Sequence, residues 1–558
     1  MTRIVSAFLI CFVLTAMVAC GGGSSTPPPT PTPTPAASIT VTPNSTTVPL
    51  GGSKSFTSNG TNVTWSLSGP GSIDSQSGVY LAPTTFPGVG SNTATITATA
   101  SNGKGTASAV VVYPNDHQSF QSGPIKLGTS GGNVNDVDTG TNGGCCIGTL
   151  GSLWTRGGNF FILSNNHVLA RSGATGTQGE AINQPGPTLC FGINKTVANE
   201  TEAADLKPTT TDPVGCKGDT APTCGPSPTN TDAAIAAVAP GEVDPTGAIL
   251  DFGTAGATSI GDAPPSATIF AGTITPGQPV AKSGRTSALT CSTIEGIDGS
   301  FFVDYDASCG GAKAFGATFN NQIVINGGNF IQAGDSGSLL VTADTAEPMG
   351  LLFAASPTSA LANRIADVQK DFNATGAFTI VGGPDRSISC APTQSVQGTK
   401  VGIGAASTVT PQQQQAAISA RDRHARPLLA DPAIKSVTAG ASADSPGDGA
   451  VVIEVNGTPK TPIPQTLDGV RTKVVYAHAS PALTKAQLDS AVAIKQKHRD
   501  GVLSSPGIEG IAVGRSDDNP AEPAILIYTI KGATHPPIAQ VIDGIRTKII
   551  ESGPFVAK

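Results

Sequence analysis

The stretch "NFIQAGDSGSLLVT", from Asn329 to Thr342, carries the tetrapeptide Gly334-Asp335-Ser336-Gly337 at its centre. These residue types favour tight turns, because glycine accepts positive φ and short polar side chains bond to their own backbone. The same four residues also suit a loop that presents a nucleophilic serine. The choice between the two depends on whether the rest of the chain supplies a base and an acid for Ser336.

The base that Ser336 needs has one candidate in this part of the chain. A serine hydroxyl attacks poorly until a neighbouring base takes its proton, and histidine suits that task near neutral pH. Between Gln118 and Arg423 the sole histidine is His167, in "FFILSNNHVLA", directly after a β-type run. A lone histidine after a strand is more often structural, but His167 is the base available to Ser336.

An acid partner fixes the tautomer of a catalytic histidine and stabilises its protonated form. The best candidate is Asp232 in "NTDAAIAAVAP", which leads a short apolar strand and whose alternative role is that of a turn or cap residue. Asp212, Asp219 and Asp251 remain alternatives, although none leads so clean an apolar run. The order along the chain is then histidine, aspartate, serine.

With this order the segment resembles the trypsin-like serine peptidases. "SNNHV" stands at the histidine motif, "TDAAIAAV" at the aspartate motif and "GDSGS" at the serine motif. "GTLGSLW", "KSGRTSALT" and "GLLFAAS" are similar to stretches of a trypsin-like subgroup found in bacteria and in the plant narrow-leaf protein. The resemblance covers about 260 residues and implies two packed β-barrels with the catalytic residues in the cleft between them.

The resemblance also implies roles for individual residues. Ser336 is the nucleophile, His167 the general base and acid, and Asp232 the orienting acid. The backbone amides of Gly334 and Ser336 form the oxyanion hole, whose donors are worth roughly 2.7 to 4 kcal/mol each. Phe330 falls at the specificity position where trypsin carries an aspartate, so a preference for Lys or Arg is not implied. Acyl-enzyme hydrolysis of this kind needs no cofactor.

The N-terminus predicts export. "MTRIVSAFLICFVLTAMVAC" has one cationic residue and then an apolar run, the pattern of a secretory signal, which we place at residues 1–19. "TAMVAC" resembles a bacterial lipoprotein signal in which Cys20 becomes lipidated, and residues 20–36 read as a Gly/Ser and Thr/Pro linker. We therefore expect a lipid anchor in the cell envelope, on the outer membrane if the cell is Gram-negative, or at the cell surface. The alternative is a soluble product cleaved elsewhere.

The composition and the spacing of β-type runs predict a multidomain, mainly β protein. Residues 37–114 alternate in short runs separated by turn residues, which predicts a small sandwich with Trp65 as its core aromatic. This region resembles the bacterial immunoglobulin-like modules, for which a spacer role is favoured over adhesion. Residues 115–385 form the trypsin-like double β-barrel region described above.

The C-terminal part contains an internal repeat of about 75 residues. "IPQTLDGVRTKVV" closes the first copy and "IAQVIDGIRTKII" closes the second. We predict two small α/β modules, at residues 405–478 and 482–555, each with a long helix, two strands, a short helix and a last strand. His424 and His498 occupy matching places in the two long helices, where a packing role is favoured over a paired metal site.

The cysteines suit disulfides in an exported chain. Without Cys11 and Cys20, eight cysteines remain, and eight allow 105 pairings. The preferred pairs, each closing a local loop, are Cys216–Cys224 and Cys291–Cys309. No metal site is predicted, since no C-x-x-C pair occurs and the loop with Asp136 and Asp138 lacks the glutamate of a calcium loop.

The charge excludes one class of partner. The net charge is −7, from 32 basic and 39 acidic residues spread thinly, so no basic patch indicates nucleic acid. The sequence therefore predicts a membrane-tethered serine endopeptidase acting on a protein or peptide, with no signal that sets the oligomeric state. Two alternatives stand beside it: a catalytically silent trypsin-like fold used for binding or adhesion at the cell surface, and an esterase with the same triad.

Overall fold

The computed structural model describes residues 39–85, 87, 91–112, 116–137, 147–173, 178–186, 194–204, 206, 231–306, 313–373, 376–390 and 409–557. The predicted signal, Cys20, the linker and the Cys216–Cys224 pair lie outside these ranges. Within them the chain is mainly β, with a few α-helices, as the sequence predicts. No helix in the described part combines the length and apolar character needed to cross a membrane.

The N-terminal region consists of short strands around one apolar core. Its strands are β1 (Val41–Thr42), β2 (Ser45–Pro49), β3 (Ser53–Ser55), β4 (Thr57–Ser58), β5 (Thr64–Ser68), β6 (Ser72–Ile73), β7 (Val79–Leu81), β8 (Thr93–Ala100) and β9 (Gly103–Val112). The sheets β2-β9-β8-β5 and β3-β7-β6 share a core that includes Trp65, Tyr80 and Ile96. Trp65 is thus the buried aromatic that the sequence predicts, whereas the likeness to immunoglobulin modules stays a prediction.

A first ring of antiparallel strands follows. It contains β10 (Thr129–Asn133), β11 (Gly148–Leu150), β12 (Ser152–Arg156), β13 (Asn159–Ser164), β14 (Ala181–Gln184), β15 (Lys195–Ala203) and β16 (Ala234–Val238). The order is β11-β10-β14-β15-β16-β13-β12. The two ends of this order, β11 and β12, are consecutive strands that only Gly151 separates. The chain itself therefore closes the ring at this point. Helix α1 (Asn166–Leu169) leaves this ring at the end of β13.

A second ring is closed by hydrogen bonds. It contains β17 (Pro279–Gly284), β18 (Ala288–Asp306), β19 (Lys313–Asn326), β20 (Leu339–Thr342), β21 (Pro348–Ala355) and β22 (Ser359–Arg364). The order β17-β20-β21-β22-β19-β18 closes because β18 also pairs with β17. After β22 the chain continues through helix α2 (Ile365–Phe372) and strand β23 (Thr379–Ile380) to the first ring, where β23 pairs with β12.

The two repeat copies have the same element order. The first has α3 (Pro411–Leu429), β24 (Ile434–Ala441), β25 (Gly449–Val455), β26 (Thr466–Leu467) and β27 (Val470–Tyr476). The second has α4 (Lys485–Leu503), β28 (Ile508–Arg515), β29 (Pro523–Ile530), β30 (Val541–Ile542), β31 (Ile545–Ser552) and a further strand, β32 (Phe555–Ala557). The predicted short helix is wrong, because the strands β26 and β30 form tight hairpins with β27 and β31 at these places.

The copies bind each other reciprocally. The Arg471 guanidinium donates to the carbonyl of Thr547, and the Arg546 guanidinium donates to the carbonyl of Thr472, both at 2.9 Å. Only the second copy joins the second ring, because β28 pairs with β18 and extends its sheet. The first copy keeps a separate four-stranded sheet.

The predicted Cys291–Cys309 disulfide is wrong. Cys291 is bonded instead to Cys390, with 5.8 Å between their Cα atoms and a sequence separation of 99. Cys309 itself lies outside the described residues. The physical reason is the length of β18, because Cys291 lies near its start and the strand runs on to Asp306. An extended strand advances about 3.3 Å per residue, so the far end of β18 is well beyond disulfide distance from Cys291.

Candidate active site

His167 is held by a short helix at the end of a strand. β13 ends at Ser164, and α1 then turns the chain so that the backbone N–H of His167 donates to Asp232 Oδ1 at 3.2 Å. The ring nitrogen Nδ1 donates to Asp232 Oδ2 at 2.6 Å. This double contact fixes the ring and leaves Nε2 as the nitrogen that can accept a proton.

Asp232 is completely buried two residues before the start of β16. Besides His167, it accepts a hydrogen bond from the Tyr305 hydroxyl at 2.7 Å on Oδ2. The side chain of Asn165 donates to the Asp232 carbonyl at 2.6 Å. Burial, and then the charge of Asp232, raise the pKa of Tyr305 well above its usual value, so Tyr305 stays a proton donor to the carboxylate.

The turn that carries Ser336 depends on two glycines. Gly334 and Gly337 have φ of +96° and +93°, which side chains rarely adopt. A Cβ on Gly334 would lie 2.6 Å from Thr286 Oγ1, and one on Gly337 would overlap Ser164 Oγ. In the described part of the chain, the backbone N–H groups of Gly334 and Ser336 donate to no protein acceptor. Two unused donors on one turn are what an oxyanion hole requires.

The two halves of the site meet at β11. The Thr149 N–H donates to the Ser336 carbonyl at 2.8 Å, and the Thr149 hydroxyl donates to the Gly334 carbonyl at 2.9 Å. A Cβ on Gly148 would lie 2.9 Å from the Ser336 carbonyl oxygen and would overlap Val168, the neighbour of His167. The Ser336 turn and the His167 helix therefore lie on either side of Gly148.

Ser336 and His167 do not bond to each other in this state. The Ser336 hydroxyl donates to the Phe353 carbonyl at 3.1 Å. His167 Nε2 is buried and has no hydrogen-bond partner among the residues that the structure describes. An unpartnered buried nitrogen is costly unless a ligand or a moving group completes it.

Asp335 anchors the turn from the other side. Its carboxylate accepts from the backbone N–H groups of Thr286 at 2.7 Å, Ser287 at 3.1 Å and Gln332 at 2.9 Å. Lys282 Nζ lies 3.4 Å from Asp335 Oδ2, and both side chains are fully buried. Burial by itself raises the pKa of Asp335, but the charge of Lys282 and these hydrogen bonds outweigh it and lower the pKa below its usual value.

The structure also places the other residues that the sequence singles out. Asp251 contacts His117 Nε2 at 2.8 Å, so it is Asp232 that the fold brings to His167. Asp212 and Asp219 lie outside the described residues. Phe330 is fully buried in an apolar cluster, where its ring offers no charge to a substrate.

Two residues of the site escape prediction from the sequence. Lys282 is a single cation in the strand "PVAKSG", and Tyr305 is one of only five tyrosines. A lysine in an otherwise apolar or small-residue strand is a signal of a buried partner, since lysine is almost never buried alone. Nothing in the sequence around Tyr305 indicates that its partner is Asp232.

No metal centre is found among the described residues, where no group of three or more His, Cys, Asp or Glu side chains is suitably placed. His424 and His498 each contact an aspartate in their own copy, Asp468 at 2.9 Å and Asp543 at 2.8 Å. This repeated pair links each long helix to the hairpin of its module.

No protein-family model and no curated protein sequence matches the chain. Among solved structures, a glutamic-acid-specific serine protease that uses a histidine triad in substrate binding has 13% identity and a TM-score of 0.29, covering 46% of this chain and 100% of its own. The chymotrypsin of Cellulomonas bogoriensis has 14% identity and a TM-score of 0.24, covering 42% of this chain and 97% of its own. With TM-scores below 0.5, neither similarity carries weight for the fold or activity of this chain.

Proposed function

We propose that the chain is an exported, membrane-tethered serine endopeptidase with a trypsin-like double β-barrel. One observation carries the proposal: a histidine bonded through Nδ1 to a buried aspartate, with Nε2 unpartnered among the described residues, lies beside a glycine-flanked serine turn with two unused amide donors. The triad and the oxyanion donors would serve a single reaction, acyl transfer from an amide to Ser336.

In the acylation step, the Ser336 hydroxyl leaves the Phe353 carbonyl and turns towards His167. Its oxygen attacks the substrate carbonyl carbon while the proton passes to His167 Nε2. Asp232 stabilises the imidazolium that forms, and the amides of Gly334 and Ser336 receive the developing oxyanion. When the C–N bond breaks, the proton on Nε2 passes to the leaving amine.

In the deacylation step, water replaces the amine. The water oxygen attacks the acyl carbon while His167 Nε2 takes one proton from the water. When the ester bond breaks, His167 gives that proton to Ser336 Oγ. The products are a carboxylic acid and the free enzyme. Proton transfer therefore needs only groups of this chain and water.

The tether is the second part of the proposal. A lipid on Cys20, together with the linker at residues 20–36 and the sandwich at 37–114, would hold the catalytic region away from the bilayer. Stable anchoring takes two or more acyl chains. Radiolabelled palmitate incorporated into the wild-type chain and not into Cys20→Ala would support the anchor, and equal incorporation would contradict it.

Reaction of the purified mature chain with a fluorophosphonate probe tests the catalytic part. We expect an adduct on Ser336, located by mass spectrometry, that is absent from Ser336→Ala and strongly reduced in His167→Ala. Ser338→Ala is the matched control, because Ser338 is also buried in this turn but its hydroxyl donates to the Asp335 carbonyl. An adduct on Ser338 or elsewhere would contradict the assignment of the nucleophile.

The silent-fold alternative has one observation in its favour, the Ser336 hydroxyl bonded to Phe353 rather than to His167. A folded wild-type chain that forms no adduct, before and after limited proteolysis of its C-terminal modules, would decide for the binding protein. Cleavage of an ester substrate but of no peptide, by chain that has not been treated with the probe but comes from a preparation that reacts with it, would decide for the esterase.

A further inference from the structure

Lys282 has an unusual position. It lies in β17 with its side chain fully buried, and its Nζ donates to the Ser287 hydroxyl at 2.5 Å and to the Ala288 carbonyl at 2.9 Å. The Ser287 hydroxyl in turn donates to Asp335 Oδ2 at 2.5 Å. One ammonium thus meets Asp335 both directly and through Ser287.

Asp335 needs a cation because its side chain is fully buried. Three backbone N–H groups and one hydroxyl bind the carboxylate, and a buried carboxylate without a compensating charge would take up a proton or leave the interior. Burial lowers the pKa of Lys282 below its ordinary value, while the charges of Asp335 and Asp251 favour its protonated form. The half-buried Arg285 is the other charged group near Asp335. Lys282 is the one that lies within ion-pair distance of Asp335 among the described residues.

The geometry points to Lys282 as the positioning residue of the Ser336 turn, and this inference rests on the proposed function. The Lys282 ammonium keeps Asp335 ionised. The Asp335 carboxylate accepts hydrogen bonds from the backbone N–H groups of Gln332, Thr286 and Ser287. These bonds hold in place the turn that carries Gly334 and Ser336. The positions of the two oxyanion donors, the backbone N–H groups of Gly334 and Ser336, therefore depend on Lys282, a buried lysine of β17.

The test compares Lys282→Met with the control Lys126→Met, which removes a partly exposed lysine paired with Asp262. We expect fluorophosphonate labelling of folded Lys282→Met to be about 100-fold slower than wild type at pH 8, as for the loss of an oxyanion donor. At pH 5 the difference in labelling rate should narrow, because a protonated Asp335 can stay in the interior next to the turn, whereas at pH 8 the ionised carboxylate without its cation leaves the interior and releases the turn. A merely structural role would lower stability but leave the labelling rate of the folded fraction unchanged at both pH values.

A second variant keeps the test decisive if Lys282→Met does not fold. Lys282→Met/Asp335→Asn carries no charge at this place and is expected to fold. It should label more slowly than wild type by a factor that does not change with pH. Labelling within twofold of wild type by either folded variant would overturn the role of Lys282, whereas a wild-type chain that does not label would instead overturn the proposed function.

A second inference rests on a different observation, the position of β32. This strand pairs antiparallel with β21, with Ala557 opposite Ala354 and Val556 opposite Ala355. Its other edge pairs in parallel with β18, with Phe555 opposite Val303. The strand is also anchored through its side chains, because the ring centroids of Phe555 and the buried Phe301 lie 4.7 Å apart.

The covered edge of β21 lies beside the nucleophile. The residue before Ala354 is Phe353, whose carbonyl accepts the Ser336 hydroxyl. β20 pairs with β21 only as far as Leu351, so the edge at Ala354 and Ala355 is open to another strand. An extended peptide recognised by strand addition would use this kind of edge, but β32 already fills it.

We infer that β32 blocks the edge of β21 that an extended peptide substrate needs, so that the chain is latent until this strand leaves. The inference rests on the proposed function. The bond from Ser336 to Phe353 belongs to the same latent state, because it keeps the hydroxyl on the strand that β32 covers.

The test deletes residues 554–558 and measures cleavage of fluorescent casein together with fluorophosphonate labelling. We expect casein cleavage to rise at least about tenfold, the factor that corresponds to about 1.4 kcal/mol, and to vanish when Ser336→Ala is added. Val556→Pro, which removes one N–H from the strand, should produce a smaller rise in a full-length chain. If either variant labels but cleaves casein no faster than the wild type, the latency is wrong; if no form labels, the proposed function fails.

Discussion

Two fully buried aspartates flank the candidate site, and they are held in different ways. Asp232 is bound by groups that can share or release a proton, the His167 ring at 2.6 Å and the Tyr305 hydroxyl at 2.7 Å. Asp335 is bound by three backbone N–H groups, by the Ser287 hydroxyl at 2.5 Å and by the ammonium of Lys282 at 3.4 Å. One carboxylate is thus coupled to a base, and the other is coupled to the backbone.

Burial alone therefore does not assign a role to a carboxylate. A fixed cation removes the freedom of Asp335 to change its charge, which suits a residue that holds a turn in place. The neutral partners of Asp232 leave its charge available to stabilise a protonated histidine. The variants that follow separate these two roles.

Asp232→Asn should have the largest effect. The amide keeps the shape but favours the wrong tautomer of His167, so we expect labelling of Ser336 by the folded variant to slow by about 10⁴-fold. Asp251→Asn is the matched control, because Asp251 contacts a different histidine, His117, at 2.8 Å. Equal losses in both variants would show that the His167 pair has no special role.

Asp335→Asn should act chiefly on stability. It leaves Lys282 buried without a counter-charge, which costs about 3 to 5 kcal/mol of unfolding free energy, measured by urea denaturation at pH 7. The pKa of Asp335 is lowered by folding, so its contribution is present above the unfolded value and is lost as the pH falls through the folded value. The difference from wild type should therefore shrink below about pH 4. A difference that stays constant in acid would contradict the ion pair.

Tyr305→Phe removes one hydrogen bond to Asp232 and keeps the ring, which stacks on Phe315 at 4.9 Å. A hydrogen bond to a charged group is worth about 1.5 to 3 kcal/mol, and we expect the unfolding free energy to fall by that amount. The control is Tyr80→Phe, whose hydroxyl donates to the neutral carbonyl of Pro70, so the loss should be smaller. The opposite order would mean that the Asp232 contact is not charge-assisted.

Asp136→Asn should have the smallest effect and the opposite sign. Burial raises the pKa of Asp136 to about 6, despite the opposing charges of His167 and Arg171. A raised pKa means that the folded state loses stability as the pH rises from about 4 through 6. The variant does not ionise. The full rise in the pKa of Asp136 would correspond to about 3 kcal/mol. Because the Asp136 side chain is partly exposed, solvent screening reduces this, so we expect the variant to be more stable than wild type by about 1 kcal/mol at pH 8 and equal to it at pH 4. Thermal melts at the two pH values check this, and a variant that is less stable at pH 8 would contradict it.

The two repeat copies show where sequence prediction works and where it stops. Each long helix begins with a capping box, Thr410 with Gln413 and Thr484 with Gln487, which neighbouring residues form by themselves. The helices are therefore predictable from sequence. Only the second copy joins β18, and this depends on contacts between its surface and that strand. Lys495 of α4 is buried and donates to Ser300 Oγ of β18 at 2.8 Å. Burial lowers the pKa of Lys495 to about 8 despite the charge of Asp298.

The candidate site divides in the same way. Chain order and residue type single out His167, Asp232 and Ser336, because His167 is the sole histidine between Gln118 and Arg423, Asp232 leads a short apolar strand and Ser336 lies in the Gly-Asp-Ser-Gly turn. The disulfide escapes the same reasoning, because spacing favours local loops, whereas β18 carries Cys291 away from Cys309 and the fold brings it to Cys390.

Local sequence is enough to specify the reactive side chains, the glycines of the Ser336 turn, the capping boxes and the alternating strands, because each depends on neighbours a few residues away. The folded chain was needed to show that Tyr305 contacts Asp232 across 73 residues, that Thr149 contacts Gly334 across 185, and that β32 covers the edge of β21. These contacts arise when the strand rings close and the second copy docks. Closure of the rings brings distant residues together through hydrogen bonds between backbones. Every residue type has a similar backbone, so the amino-acid sequence does not reveal which strands will pair.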